Sequence, residues 1–177
     1  MSIKNQKFSR RSWPLRVIKD KEIVDDSWTL YDESALESGL PEADAIVPYT
    51  YWKDHRDELS SREGAKLGIV VGGEDDIEEI AAEAEGFELI AIDFPAFKDG
   101  RGYSQARILR DHYHYKGDIR AVGDVLRDQL YFMHRCGISS FLVKEDKDLE
   151  DALHGFSDFS VKYQTAADAA PPIYRQR

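Results

Sequence analysis

The stretch Leu67–Phe94, LGIVVGGEDDIEEIAAEAEGFELIAIDF, decides the fold. LGIVVGG is a short apolar run closed by two glycines and reads as a buried strand. Asp75 and Asp76 follow, where a helix would present the positive end of its dipole. Ile77, Ile80, Ala81 and Ala84 recur at i, i+3, i+4 and i+7, a single apolar helical stripe, and Gly86 supplies the stop. FELIAIDF is the next strand. Strand, helix and strand at this spacing make a unit whose strands run parallel, joined by a right-handed crossover.

Downstream the alternation repeats. The glycine-containing loop FKDGRGY leads to Ser104, which the pattern makes the N-cap of a helix with Ala106, Leu109 and Tyr113 turned inward. Gly117 breaks the chain, IRAV is another strand, and Asp124 to Arg135 reads as the next helix. SSFLV and a helix from about Leu149 to Phe156 repeat the pattern once more. Upstream, SWTLY and AIVPY give short β signals, and Thr50 is placed to cap a helix running to about Ser61. The expected fold is α/β, with about five parallel strands alternating with helices after a short N-terminal β element. Its sheet is expected to curl as a partial barrel, with an open doubly wound sheet as the alternative. Residues 1–25 read as a loose lead-in, 26–156 as a single α/β domain and 157–177 as an extended tail.

A length of 177 residues suits one domain, and 42% apolar with 33% charged residues is the balance of a folded soluble protein. No window approaches the roughly 18 apolar residues of a membrane span. The basic start lacks the apolar core of a secretory signal, so a cytoplasmic protein is expected. The net charge of −10 argues against nucleic acid or an anionic membrane as partner. Cys136 is the one cysteine, which excludes an internal disulfide and a cysteine-rich zinc site.

Charge is unevenly spread. Residues 93–136 hold eight Lys/Arg against six Asp and no Glu, inside a chain with 24 basic and 34 acidic residues. Within this basic segment Gly100, Arg101, Gly102, Tyr103 and Ser104 open into a helix, where free backbone N–H groups attract anions. One reading puts an oxyanion such as sulfite, sulfate or phosphate there, held by Arg101 and Arg107, with Arg120 and Arg135 completing a wall. The plainer reading pairs Asp99 with Arg101 and leaves the glycines only to permit the bend. Parallel sheets bind ligands at the carboxyl ends of their strands, so the loops after Val71, Phe94, Val122 and Val143 share one edge. Asp93, Phe97 and Asp99 in one of these loops are therefore expected to face Gly123 and Asp124 in another. On the following helix Asp124, Asp128, Tyr131 and Arg135 fall on one line with Gln129 alongside, either a functional face or a solvated one.

Other patterns carry less. His112 with His114 and His134 with Cys136 imitate metal pairs, but residues two apart on a helix point away from each other and further ligands are not signalled, so no metal is expected. The glycines at 68, 72 and 73 miss the G-x-G-x-x-G spacing of a dinucleotide loop.

The blocks FPxFxDGRGYSxARxLR (94–110), GDIRAVGDVLRDQLYFMxRCG (117–137) and YQTAAD (163–168) resemble a bacterial family of unassigned function. That family is commonly described as a probable oxidoreductase or accessory factor of sulfite reduction, encoded beside assimilatory sulfite reductase. The resemblance runs from about Asp26 to the C-terminal arginines. Where relatives usually read RCGF, this sequence has Ile138. The resemblance implies a cytoplasmic protein of sulfur assimilation, with sulfite reductase or another protein of that pathway as partner, and names no catalytic residue or cofactor. Reducing sulfite takes six electrons, and a lone cysteine without a flavin, haem or cluster signature cannot deliver them. Three readings follow: an accessory protein whose Arg/Gly-rich loop meets an oxyanion or an acidic partner face, an oxidoreductase using a borrowed cofactor, or a small-anion-binding module with no redox role.

Overall fold

The computed structural model describes residues 15–37, 39, 42–144, 147–158, 164–167 and 175. Among these residues eight strands form one sheet: β1 (Leu15–Lys19), β2 (Glu22–Asp26), β3 (Thr29–Leu30), β4 (Ala45–Pro48), β5 (Leu67–Val71), β6 (Leu89–Phe94), β7 (Asp118–Gly123) and β8 (Ser140–Phe141). Their order across the sheet is β2-β1-β8-β7-β6-β5-β4-β3. From β3 to β8 neighbouring strands are parallel and consecutive, while β1 pairs antiparallel with both β2 and β8.

This order has a physical consequence. Parallel strands laid down in sequence, each crossover right-handed, place every connecting helix on the same face, so the sheet is singly wound. The large core lies on that face, where Ile69, Val71, Ile90, Ile92, Phe94, Ile119 and Ala121 meet helical residues including Ile80, Leu109, Leu130 and Met133. The opposite face carries a smaller cluster of Ile46, Val70, Leu89, Ala91 and Val122, packed against Trp28, Leu30 and Leu142. The edge strands β2 and β3 are joined by only Ser27 and Trp28. Three Cα steps span at most about 11 Å, so the two edges lie close and the sheet curls into a half-barrel around the smaller cluster.

The α/β class and the curled form agree with expectation, and the strand count does not. Among the described residues six strands are parallel, and residues 15–25, read from sequence as lead-in, form with Asp26 a hairpin that extends the sheet. Asp20 and Lys21 turn this hairpin with φ of 50° and 67°. Two left-handed residues are what a tight two-residue turn requires, but Asp-Lys lacks the glycine that signals it. Residues 1–14 and most of the expected tail lie outside the described residues.

The helices are α1 (Glu33–Leu36), α2 (Tyr49–Asp54), α3 (Arg56–Ser60), α4 (Ile77–Ala82), α5 (Arg101–Arg107), α6 (Leu130–Arg135) and α7 (Leu149–His154). The stretch that decides the fold behaves as read: Asp76 caps α4 by accepting from Glu78 N at 2.9 Å, and Ile77, Ile80 and Ala84 are buried. Three helix starts need correction. Tyr49, not Thr50, opens α2, after Pro48, whose fixed φ suits a helix entry. Gly100, not Ser104, is the N-cap residue of α5, because Gly102 must already be helical to pack against Phe94 and Ile92. The helix expected from Asp124 begins as a 3-10 turn at Arg127, since Gly123 and Asp124 stay bound to the end of β6. That later start changes the helical phase and buries Tyr131, which sequence had put on the polar line. Beyond α5 the helix widens into a π turn, Ile108–His112, and Tyr113 ends up exposed rather than inward.

Candidate functional site

Asp93 is the penultimate residue of β6, near the middle of the parallel strands and at their carboxyl edge. Alternation along β6 puts it on the concave face with Leu89 and Ala91, at the mouth of the half-barrel. Its carboxyl is half-buried, and burial first, then the negative charge of Asp99, push its pKa up to about 6. Among the described residues it has no hydrogen bond or ion pair. Gly123, paired with Phe94, shapes one side. Its φ is 95°, and a Cβ there would sit 2.6 Å from Asp93 Oδ1 and 2.6 Å from the Phe94 carbonyl oxygen. Only glycine leaves room for the carboxyl at this close approach. Asp124 N donates to Phe94 O at 2.7 Å, and its carboxylate meets Lys144 Nζ at 2.5 Å. The loops after β6 and β7 therefore adjoin, as expected from sequence.

The arginine loop forms the neighbouring lip. Arg101 Nε and Nη2 donate to the two oxygens of Asp99 at 3.0 and 2.7 Å, and Nη1 donates to Glu74. The Arg101 hydrogen bonds hold the Asp99 carboxyl down at about 2, and the same partners raise the guanidinium pKa. The guanidinium lies flat on the next loop, since a Cβ on Gly73 would come within 2.6 Å of Arg101 Cζ. Phe97 stands on this lip, 60% exposed. Ser104 is an exposed helical residue, and open space surrounds Gly100 where a side chain would project.

A second group lies between α5 and α6. Tyr103 meets Phe94 edge-on at 5.3 Å, and its hydroxyl hydrogen-bonds the side chain of Gln129. Gln129 Oε1 also accepts from Leu126 N at 3.2 Å, fixing the entry to the helix. Arg107 pairs with Asp111, and Arg135 donates to the carbonyl of Gln164 in the tail. Cys136 is close enough for both arginines to act on it, yet burial dominates and raises its thiol pKa. It is a packed cysteine, not an activated one. Asp128 is exposed on the first turn of this helix.

Arg120 stands apart from both groups. It is 3% exposed, with Nη1 and Nη2 donating to the Asp26 oxygens at 2.7 and 3.0 Å and Nε donating to Ser140 Oγ at 3.1 Å. It crosses the concave face as a structural tie and does not wall the loop at Gly100. The four arginines expected around one anion thus have four separate engagements.

Sequence reasoning missed Glu74, Gly73 and Lys144, all on loops at the same carboxyl edge. It also missed Gln105, 6% exposed, whose Nε2 donates to Gly72 O at 2.8 Å and ties α5 to the loop after β5. Glu74 was legible in part, because strand order alone puts its loop beside the arginine loop. Among the described residues no group of three or more His, Cys, Asp or Glu side chains is placed to hold a metal ion, and no helix is long and apolar enough to cross a membrane. Chemically, the mouth offers one carboxyl that changes protonation near neutral pH, beside an ion-paired Arg101–Asp99–Glu74 cluster of net negative charge and an exposed aromatic ring.

Comparison with known proteins gives one family. The model described as "Bacterial protein of unknown function (DUF934)" matches residues 68–174, which take in β5 to β8 and both groups of candidate residues. No curated protein matches the chain.

Proposed function

Because this chain belongs to the bacterial DUF934 family, whose description assigns no activity, we propose its function from its own residues: an accessory protein of sulfite reduction whose working surface is the half-barrel mouth around Asp93. The sulfite context rests on the resemblance of the blocks at 94–110 and 117–137. The choice of surface rests on one observation. Asp93 is a half-buried carboxyl at the carboxyl edge of a central strand, raised to about 6 and without a partner among the described residues.

Sulfite reduction consumes protons as well as electrons, and a carboxyl titrating near neutrality can exchange them at a docking face. A small-anion module is the weaker reading, because an oxyanion at Arg101 would have to displace both Asp99 and Glu74. Partner docking needs no such displacement. Phe97, exposed on the lip, supplies apolar contact for a partner without disturbing the Arg101 ion pairs.

Deleting the gene in its own host, then comparing growth on sulfate with growth on cysteine, tests the reading. Growth should fail or slow on sulfate alone, recover with the wild-type gene, and recover poorly with Asp93→Asn. Unimpaired growth of the deletion strain on sulfate, with no second copy of the gene, removes the sulfite context. Full rescue by Asp93→Asn removes the mouth as the working surface.

A further inference from the structure

The opposite end of the half-barrel carries a cavity of about 480 Å³ among the amino ends of β7 and β8. Lys19 and Asp20 of the hairpin, Arg110 and Asp111 of the π turn, and Lys116 and Asp118 before and in β7 line it. Its size is that of a small-molecule site. We propose that it binds a small zwitterion, a molecule with a carboxylate at one end and an ammonium at the other.

The argument is a charge inventory. Lys19 and Asp118 pair at 3.5 Å, and Asp111 pairs with Arg107, so these groups are matched. Arg110 is half-buried and gives its hydrogen bonds to neutral oxygens. Nε donates to Gly137 O at 2.8 Å, Nη1 to Tyr115 O and Gly117 O at 2.5 and 2.9 Å, and Nη2 to Ser139 Oγ at 3.3 Å. That accounts for four of the five guanidinium protons, leaving one on Nη2. Among the described residues no carboxylate stands within ion-pair distance of Arg110; burial lowers its pKa and outweighs Asp118 and Asp20, which act on it from farther off, so its charge is only partly compensated.

Lys116 and Asp20 likewise have no ion pair among the described residues. Two cations and one carboxylate thus face the cavity without a direct ion pair among the described residues. A carboxylate between Arg110 and Lys116, with an ammonium at Asp20, satisfies all three. Asp20 is held in place for this, with φ of 50° and its backbone N–H donating to Ser139 O at 3.0 Å. The site lies at the other edge of the sheet from Asp93 and is independent of the function proposed above.

Melting curves with each common α-amino acid at millimolar concentration, followed by calorimetry on the one that stabilises most, test the proposal. The same titration is run with its N-acetyl form, which lacks the ammonium, and with its decarboxylated amine. Saturable binding is expected, weakened about tenfold or more for either analogue and for Asp20→Asn and Lys116→Gln. Asn tolerates the left-handed turn as Asp does and Lys116 is exposed, so both variants should melt as wild type does without ligand. The proposal is overturned by the absence of stabilisation with every amino acid. It is equally overturned by an N-acetyl form that binds as tightly as the free amino acid, or by undiminished binding in both variants.

Discussion

Asp26 and Arg120, ninety-four residues apart in the chain, meet in a two-armed ion pair at 2.7 and 3.0 Å, with 5% and 3% of their surfaces exposed. One belongs to the hairpin and the other to a central parallel strand, so the pair fastens the added strands across the concave face. Asp118 and Ser140 complete the tie: Ser140 Oγ donates to Asp118 Oδ2 at 2.9 Å.

Removing Arg120 takes the guanidinium from a buried Asp26, and removing Asp26 leaves a buried Arg120 with only the longer contact to Asp118 at 3.8 Å. Arg120→Met or Asp26→Ala alone should each cost about 3–5 kcal/mol, and the double variant should lose less than the sum. Urea melts of the four proteins in a double-mutant cycle check this. Additive losses would show that the two side chains do not act as a unit.

Asp93 should make stability depend on pH. Its carboxyl is raised to about 6, above the roughly 3.9 of an unfolded chain, so the folded state keeps its proton longer. That contribution is fully present below about pH 4 and is lost as pH rises through about 6, a fall of about 1–2 kcal/mol after allowing for partial exposure. Asp93→Asn should flatten the profile in that window and gain stability at higher pH. An unchanged slope in the variant would contradict the assignment.

Asp99 should behave in the opposite sense. Held down at about 2 by Arg101, it contributes stability that is present above its unfolded pKa and lost as pH falls through about 2. Carboxyl NMR titration of Arg101→Ala should show Asp99 moving up toward the ordinary aspartate range. Calorimetry with sulfite, sulfate and phosphate on the wild type should give no saturable heat at this loop, because Asp99 and Glu74 already occupy Arg101.

The glycines of the arginine loop should separate by role. A Cβ at Gly102 would come 2.7 Å from the Phe94 ring and 2.9 Å from Ile92 Cγ2, so Gly102→Ala should cost about 1–3 kcal/mol through overpacking. Gly100 has open space and no left-handed φ, and Gly100→Ala should stay within about 0.5 kcal/mol of wild type. Gly123→Ala should be worse than either, since it combines φ of 95° with contact against Asp93 and Phe94. Chemical denaturation of the three variants gives the order directly.

Elements whose signal is local are legible in the residues alone. The apolar run at 67–71, the capping Asp76 and the stripe of Ile77, Ile80 and Ala84 depend on neighbours a few residues away, and they fold as their spacing dictates. So does the shared carboxyl edge, because parallel strands with right-handed crossovers leave no other place for the loops after Phe94 and Val122. Tertiary structure decided what depends on partners far along the chain. The hairpin at 15–26 has weak strand signals of its own and is held by pairing with β8 more than a hundred residues later. Arg120 reads as one more cation of a basic segment until Asp26 comes across the sheet to neutralise it. Ser104 looks like a helix cap because Ser and Thr usually are, but Gly102 packing on Phe94 starts the helix earlier. The raised pKa of Asp93 comes from burial at the mouth and from Asp99 beside it, two quantities of three-dimensional distance that residue order does not contain.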